Sequence, residues 1–265
     1  WPILFQAASV FAATAFTVPK TPLTQQHNLL FRKDINMTTL SLVSRFAPLP
    51  LAVLLAAPLA QAADFPTSAE LQYVGPYGVP ATMTFNRSGS TYKVVASINV
   101  PMYQMRFESS GSINGNTLQP AVYTDTRKGK PYAQARFSGN SVRYGKAGDA
   151  AQTTAVNGPT FDLFTLAWQL AMNEGKLPTG LQITNGKRLY PVSGIRSLGA
   201  AKYRVSGGDT TINRYRVQRG GDTIDYAFAP EFHNIPAQIT YVDDGKTYTL
   251  KLKSIKINGK AVQPK

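Results

Sequence analysis

The sequence predicts a mainly β fold: a strongly curved antiparallel sheet, half-barrel or barrel-like, wrapping one central α-helix. Three observations predict it. Apolar and polar residues alternate with a period of two along most of the chain between residues 81 and 257. Short turns rich in Gly, Asn and Ser separate the alternating runs. One segment, Phe161–Asn173, follows the helical period instead and is apolar around most of its circumference.

The first 62 residues read as something other than the fold. Met37 is the first methionine, Arg45 supplies a positive n-region, and Phe46 to Leu59 is apolar but broken by Pro48, Pro50 and Pro58. Ala60-Gln61-Ala62 then places small residues where a signal peptidase reads them. The expectation is a signal peptide over 37–62, cleaved after Ala62, with 1–36 as upstream sequence foreign to the working protein. Residues 63–265 would form a single β-rich domain in the periplasm. The apolar run is too short to span a bilayer, which takes about 20 helical residues. The exported product is therefore not expected to be an integral membrane protein.

Composition narrows the chemistry further. The chain has 265 residues, a formal net charge of +14 and no cysteine. Disulfides, thiolate metal sites, cysteine nucleophiles and a lipid-modified cysteine anchor are all excluded. The only histidines are His27 and His233, which excludes a multi-histidine metal centre. Residues 1–62 hold four basic residues and one acid, so the remainder still carries +11.

The strands follow in order. Ala81, Met83 and Phe85 share one face, and Ser88-Gly89-Ser90 turns into Tyr92, Val94, Ala96 and Ile98. Tyr103, Met105 and Phe107 alternate with Gln104, Arg106 and Glu108. Further runs at 121–127, 132–137 and 141–144 are split at Lys128-Gly129-Lys130 and Ser138-Gly139-Asn140. Beyond the helix, 212–218 and 223–228 flank Arg219-Gly220-Gly221, and 237–242 and 247–257 flank Asp243-Asp244-Gly245-Lys246. Asp-Gly and the Asn-Gly pairs at 185 and 258 favour the turn whose twist matches a hairpin. About a dozen strands result.

Thr160 is positioned to cap the helix and Gly175 to close it. Asp162, Thr165, Gln169 and Asn173 fall on one narrow stripe. The apolar remainder covers about 220°, wider than a helix resting on one sheet requires. The helix is expected inside the curved sheet or plugging its open mouth, with 147–158 as a flexible lead-in.

Motifs for catalysis are missing. No G-x-S-x-G, P-loop, G-x-G-x-x-G or H-E-x-x-H occurs. His233 reads as a loop histidine, and Asp243-Asp244 as a turn rather than a carboxylate pair, since adjacent strand residues face opposite ways. No enzyme, cofactor or metal site is expected, and no nucleic-acid module is present. Arg214 and Arg216 share one strand face and are the candidate anion-binding residues. Tyrosines recur along the first strands, and Met83, Met102 and Met105 add adaptable apolar surface.

Several short motifs together carry a resemblance: Leu71-x-Tyr73, Gly111-x-Ile113, Leu118-x-Pro120-x-x-Tyr123, Phe161-Asp162-x-Phe164-Thr165-Leu166-x-x-Gln169-Leu170-Ala171, and Ala229-Pro230 with Ile235-Pro236. Over residues 67–257 the chain resembles the exported bacterial family known as domain of unknown function 3108. The resemblance implies a periplasmic, mostly β protein related to half-barrel lipoprotein carriers, and it brings no catalytic residues. The expected function is a non-enzymatic periplasmic protein holding a lipid or other hydrophobic ligand in a half-barrel groove. Phe161, Phe164 and Trp168 of the helix would face Met83, Phe85, Met105 and Phe107 of the sheet across that groove. The alternative is a cell-envelope assembly or structural factor whose basic faces meet an anionic polysaccharide, lipopolysaccharide or protein partner.

Overall fold

The computed structural model describes residues 65–265 other than 101, 178, 244 and 245. The expected signal peptide and upstream segment lie outside the described residues. A first antiparallel run passes through β1 (Ser68–Val74), β2 (Pro80–Ser88), β3 (Thr91–Val100), β4 (Tyr103–Asn114), β5 (Thr117–Arg127), β6 (Lys130–Ser138), β7 (Ser141–Lys146) and β8 (Gln152–Ala155). β9 (Thr160–Asp162) leads directly into α1 (Leu163–Met172). The second run is β10 (Gln182–Thr184), β11 (Leu189–Val205), β12 (Gly208–Arg219), β13 (Asp222–Ala229), β14 (Ile235–Asp243), β15 (Lys246–Ile257) and β16 (Lys260–Val262).

These sixteen strands form one large curved sheet, and β1 pairing with β15 joins the two runs. The sheet is open, with β8 and β9 at its ends, and it is antiparallel except where β9 runs parallel to β10. Six strands lie outside the alternating runs read from the sequence: β1, β8, β9, β10, β11 and β16. β8, β9, β10 and β16 have only three or four residues each, too few to show a period. β8 occupies part of the stretch read as a flexible lead-in. β11 has seventeen residues, but two register shifts, at Val192/Gly194 and Ser197/Gly199, break its alternation.

Bulges supply curvature, because each extra residue bends its strand and increases the local twist. Three of the register shifts lie at prolines: Ser110/Gly111 opposite Pro120, Asp125/Thr126 opposite Pro131, and Ala227/Phe228 opposite Pro236. Proline has no N–H for the ladder and is confined to such interruptions. At the first of them a Cβ on Gly111 would sit 2.0 Å from the Gln119 carbonyl oxygen, so that position admits only glycine.

The helix starts later than Thr160. Residues 160–162 pair with 182–184 as strand, and Asp162 becomes the cap, its Oδ1 accepting from Phe164 N and Thr165 N at 3.0 Å each. Every residue from Phe164 to Ala171 is buried, and of the polar stripe Asp162, Thr165 and Gln169 are buried while Asn173 is half-buried. Thr165 donates to Asp162 Oδ2 at 2.6 Å, and Gln169 accepts from Leu118 N at 2.6 Å and donates to Asn116 O at 2.8 Å. Hydrogen bonding thus makes the burial of three polar side chains tolerable. The core combines α1 with inward residues of both runs, among them Leu71, Phe85, Ile224 and Ile239. A smaller cluster of Tyr123, Ala135, Val142, Tyr144 and Val156 packs under β5 to β8, and Phe107 touches both.

Since strand direction alternates, the connections fall on two rims. One rim carries the turns β2–β3, β4–β5, β6–β7, β11–β12, β13–β14 and β15–β16. The other carries β1–β2, β3–β4, β5–β6, β7–β8, β10–β11, β12–β13 and β14–β15. The Gln169 bonds to the β4–β5 turn place the C-terminal half of α1 toward the first rim.

Candidate functional site: a cleft at the C-terminal end of the helix

Helix α1 ends in a tight reversal. Gly175 N donates to Leu170 O at 2.9 Å, and Glu174 and Gly175 both have positive φ, 51° and 81°. The Tyr215 hydroxyl donates to Glu174 O at 3.1 Å, and its ring lies so close over Gly175 that a Cβ there would sit 2.2 Å from Tyr215 Cε1. Across from the helix end, the β13–β14 connection turns through His233 and Asn234, both at φ 56°.

Between these segments lies a cleft of about 270 Å³. Leu170, Phe228, Pro230 and the Tyr215 ring form its apolar part, and Glu174, Asn213 and Asn234 its polar rim. The Tyr215 and Phe228 rings stand 5.9 Å apart, tilted by 53°. Glu174 and Asn234 thus line the cleft from left-handed conformations at a helix end and a turn. The volume is near the lower bound of small-molecule pockets, roughly 300 Å³. It fits one small ligand or the end of a longer chain.

Of the seven apolar residues expected to line a groove, five are buried and two half-buried. Trp168, Phe85, Met83, Phe161 and Phe164 are all buried. Trp168 lies 4.6 Å from Phe85 and meets Phe65 edge-on at 6.0 Å, and its Nε1 donates to Met83 Sδ at 3.2 Å. The space beside Trp168 is therefore filled by side chains of the same domain. Sequence periodicity marks these residues as inward-facing but cannot tell core from lining, and the core takes them. Phe107 packs on Phe164 at 5.2 Å toward the N-terminal end of the helix, and both Phe107 and Met105 are half-buried.

The two candidate anion-binding arginines have partners. Arg216 makes a bidentate pair with Asp225, both contacts at 2.6 Å, and Asp225 is its cross-strand neighbour. This pairing raises the Arg216 pKa and compensates its charge. Arg214 donates to Leu198 O at 3.0 Å and Gly199 O at 3.4 Å, bracing the bulge in β11. The pattern Arg-x-Arg shows a shared face, but the acid opposite is visible only once the strands are paired.

A second polar locus sits at the N-terminal end of the helix. Thr165 Oγ1 lies 2.9 Å from Ser109 Oγ as well as bonding the Asp162 carboxylate. The Tyr92 phenol is buried nearby, and desolvation, followed by the Asp162 charge, pushes its pKa well up. Among the described residues no group of three or more His, Cys, Asp or Glu converges on one point, and no helix is long and apolar enough to cross a membrane.

The cleft residues went unmarked in the sequence. Leu170 reads as one more apolar helix position, and Tyr215 and Phe228 as strand alternation. The Gly175 stop signal and the Ala229-Pro230…Ile235-Pro236 stretch are the sequence features that flank the site.

Comparison with known proteins gives a family and a distant fold likeness. The family model described as protein of unknown function (DUF3108) matches residues 71–253. Among solved structures, a β-barrel-like protein of the domain of unknown function DUF1849 from Brucella abortus aligns with a TM-score of 0.49 at 9% identity, covering 73% of this chain and 99% of that one. No curated protein matches the sequence.

Proposed function

The chain belongs to the DUF3108 family, and on that premise we propose that it is a non-enzymatic periplasmic binding protein that takes up a lipid-chain end or another small hydrophobic ligand. The ligand site in this reading is the cleft at the C-terminal end of α1, and the helix is the enclosed centre of the bent sheet. The observation that supports it is the composition of the cleft: Pro230 and the Tyr215 ring over the core side chains Leu170 and Phe228, beneath a rim of one carboxylate and two amides. In such a site the apolar wall gives the ligand its contact while the rim orients a polar end. The Arg45, apolar and Ala-Gln-Ala succession is what supports export in this reading.

The test is titration of the full chain with the apolar fluorophore 1-N-phenylnaphthylamine. We expect saturable uptake at one site, displaced by a medium-chain fatty acid. Asn213→Trp fills the cleft from a half-buried rim position and should reduce uptake at least tenfold while the thermal melt stays where it was. Absence of saturable uptake, or undiminished uptake by Asn213→Trp, refutes the reading.

A further inference from the structure

The two rims of the sheet differ in chemistry. On the rim that holds the cleft, the connections at 89–90, 115–116, 139–140, 206–207, 230–234 and 258–259 contain no Lys or Arg, and its basic residues, Arg87, Arg204 and Lys260, stand at strand ends without an exposed apolar tip beside them. The opposite rim carries the two most exposed large apolar side chains among the described residues, Tyr77 at 96% and Met102 at 97%. Each sits at a hairpin tip, β1–β2 and β3–β4, held outward by positive φ of 57° and 63°. Leaving such side chains in water gains nothing for the fold, because neither touches the core.

Cations gather on the Met102 side of this rim. Lys128 and Lys130 project from the β5–β6 tip, Lys146 from the end of β7, and Lys187 and Arg188 from the β10–β11 turn. Strands about 4.8 Å apart space alternate tips roughly 10 Å apart along a rim, so Tyr77, Met102 and Lys128 follow one another in a row. Lys128 N donates to Gln104 O at 2.9 Å, tying the β5–β6 tip to the β3–β4 hairpin. The cations rest on tyrosines: Lys128 Nζ is 5.3 Å from the Tyr103 ring, and Arg127 Cζ and Lys187 Nζ are 3.7 and 5.5 Å from Tyr132. Acids are fewer: Asp125 is paired with Arg127, and Asp149 follows Lys146.

We propose that this rim docks peripherally on a bilayer surface rich in anionic lipid. Met102 and Tyr77 enter the headgroup region, and Lys128 and Lys130 meet the lipid phosphates. An exposed apolar tip gains by leaving water, tyrosines suit the wet–apolar boundary, and basic residues near an anionic surface each add about 1 kcal/mol. A soluble polyanion would use the lysines but give no role to Met102. This docking stands independently of the cleft, which lies on the other rim.

The experiment is cosedimentation of the full chain with vesicles of phosphatidylcholine alone or mixed equally with phosphatidylglycerol. Residues 1–62 are common to every variant, so differences between variants report on the rim. We expect Lys128→Gln with Lys130→Gln to lower partitioning to the mixed vesicles about thirtyfold at low salt and Met102→Ser to lower it severalfold. Arg214→Gln, on the sheet face, should leave it unchanged. All four positions are exposed, and circular dichroism melts verify the fold of each variant. Equal partitioning to both vesicle types, or lysine variants that bind like the parent chain, overturns the proposal. Met102→Ser binding like the parent while heparin displaces the protein would identify a soluble polyanion as partner and overturn it too.

Discussion

Trp168→Ala is expected to destabilise the domain by roughly 3–5 kcal/mol, the range for removing a large aromatic from a core. Trp168 has no exposed surface, and its ring is held by Phe85, edge-on Phe65 and the Met83 sulfur. Phe65 reaches it from the start of the described chain, Met83 and Phe85 from β2, and Trp168 itself from the helix. Truncation therefore opens a void where three separate segments meet, and none can collapse into it alone. Urea unfolding should show the midpoint falling with little change in slope. A loss under about 1 kcal/mol would mean that the ring lies at a lined, adaptable space instead of a packed centre.

The second large effect is expected at Asp162. Its carboxylate accepts from Phe164 N, Thr165 N and the Thr165 hydroxyl while having no exposed surface. Asp162→Ala removes a helix cap, worth about 1–2 kcal/mol, and strands buried donors that water cannot reach, each costing about 1–3 kcal/mol. A loss of about 3 kcal/mol or more should appear in the same urea experiment. Asp162→Asn keeps an acceptor for the two backbone amides and is expected to recover more than half of that loss. An alanine variant as stable as the parent would show that the helix N-terminus finds other partners.

Much of this architecture was legible because strand and turn chemistry is local. The faces Ala81-Met83-Phe85 and Tyr92-Val94-Ala96 are buried as alternation requires, and Gly turns sit where Ser88-Gly89-Ser90 and Asn258-Gly259 place them. The family motifs gain a physical reading: Gly111 with Pro120, and Ile235-Pro236, mark bulges that bend the sheet. What was not legible depends on pairing at a distance. Thr160 reads as the cap in sequence, and only the pairing of 160–162 with β10 moves the helix start to Asp162. The stripe Asp162, Thr165, Gln169 looks solvent-facing until Ser109 and the β4–β5 turn are brought to it. Arg216 looks available until Asp225 arrives from the next strand. The cleft forms where a helix end, two strands and a turn converge, and no single segment carries its signature.

The central claim is that helix α1 is the interior of this domain. Hydrogen–deuterium exchange of the full chain, followed by peptide mass spectrometry across 163–172, tests it most directly. Amides of Leu166 to Ala171 should exchange only through global unfolding, with a protection free energy equal to that from urea denaturation. Exchange of these amides as fast as that of the exposed hairpin tips at Met102 and Lys128 would contradict an enclosed helix, and with it the cleft assigned to its end.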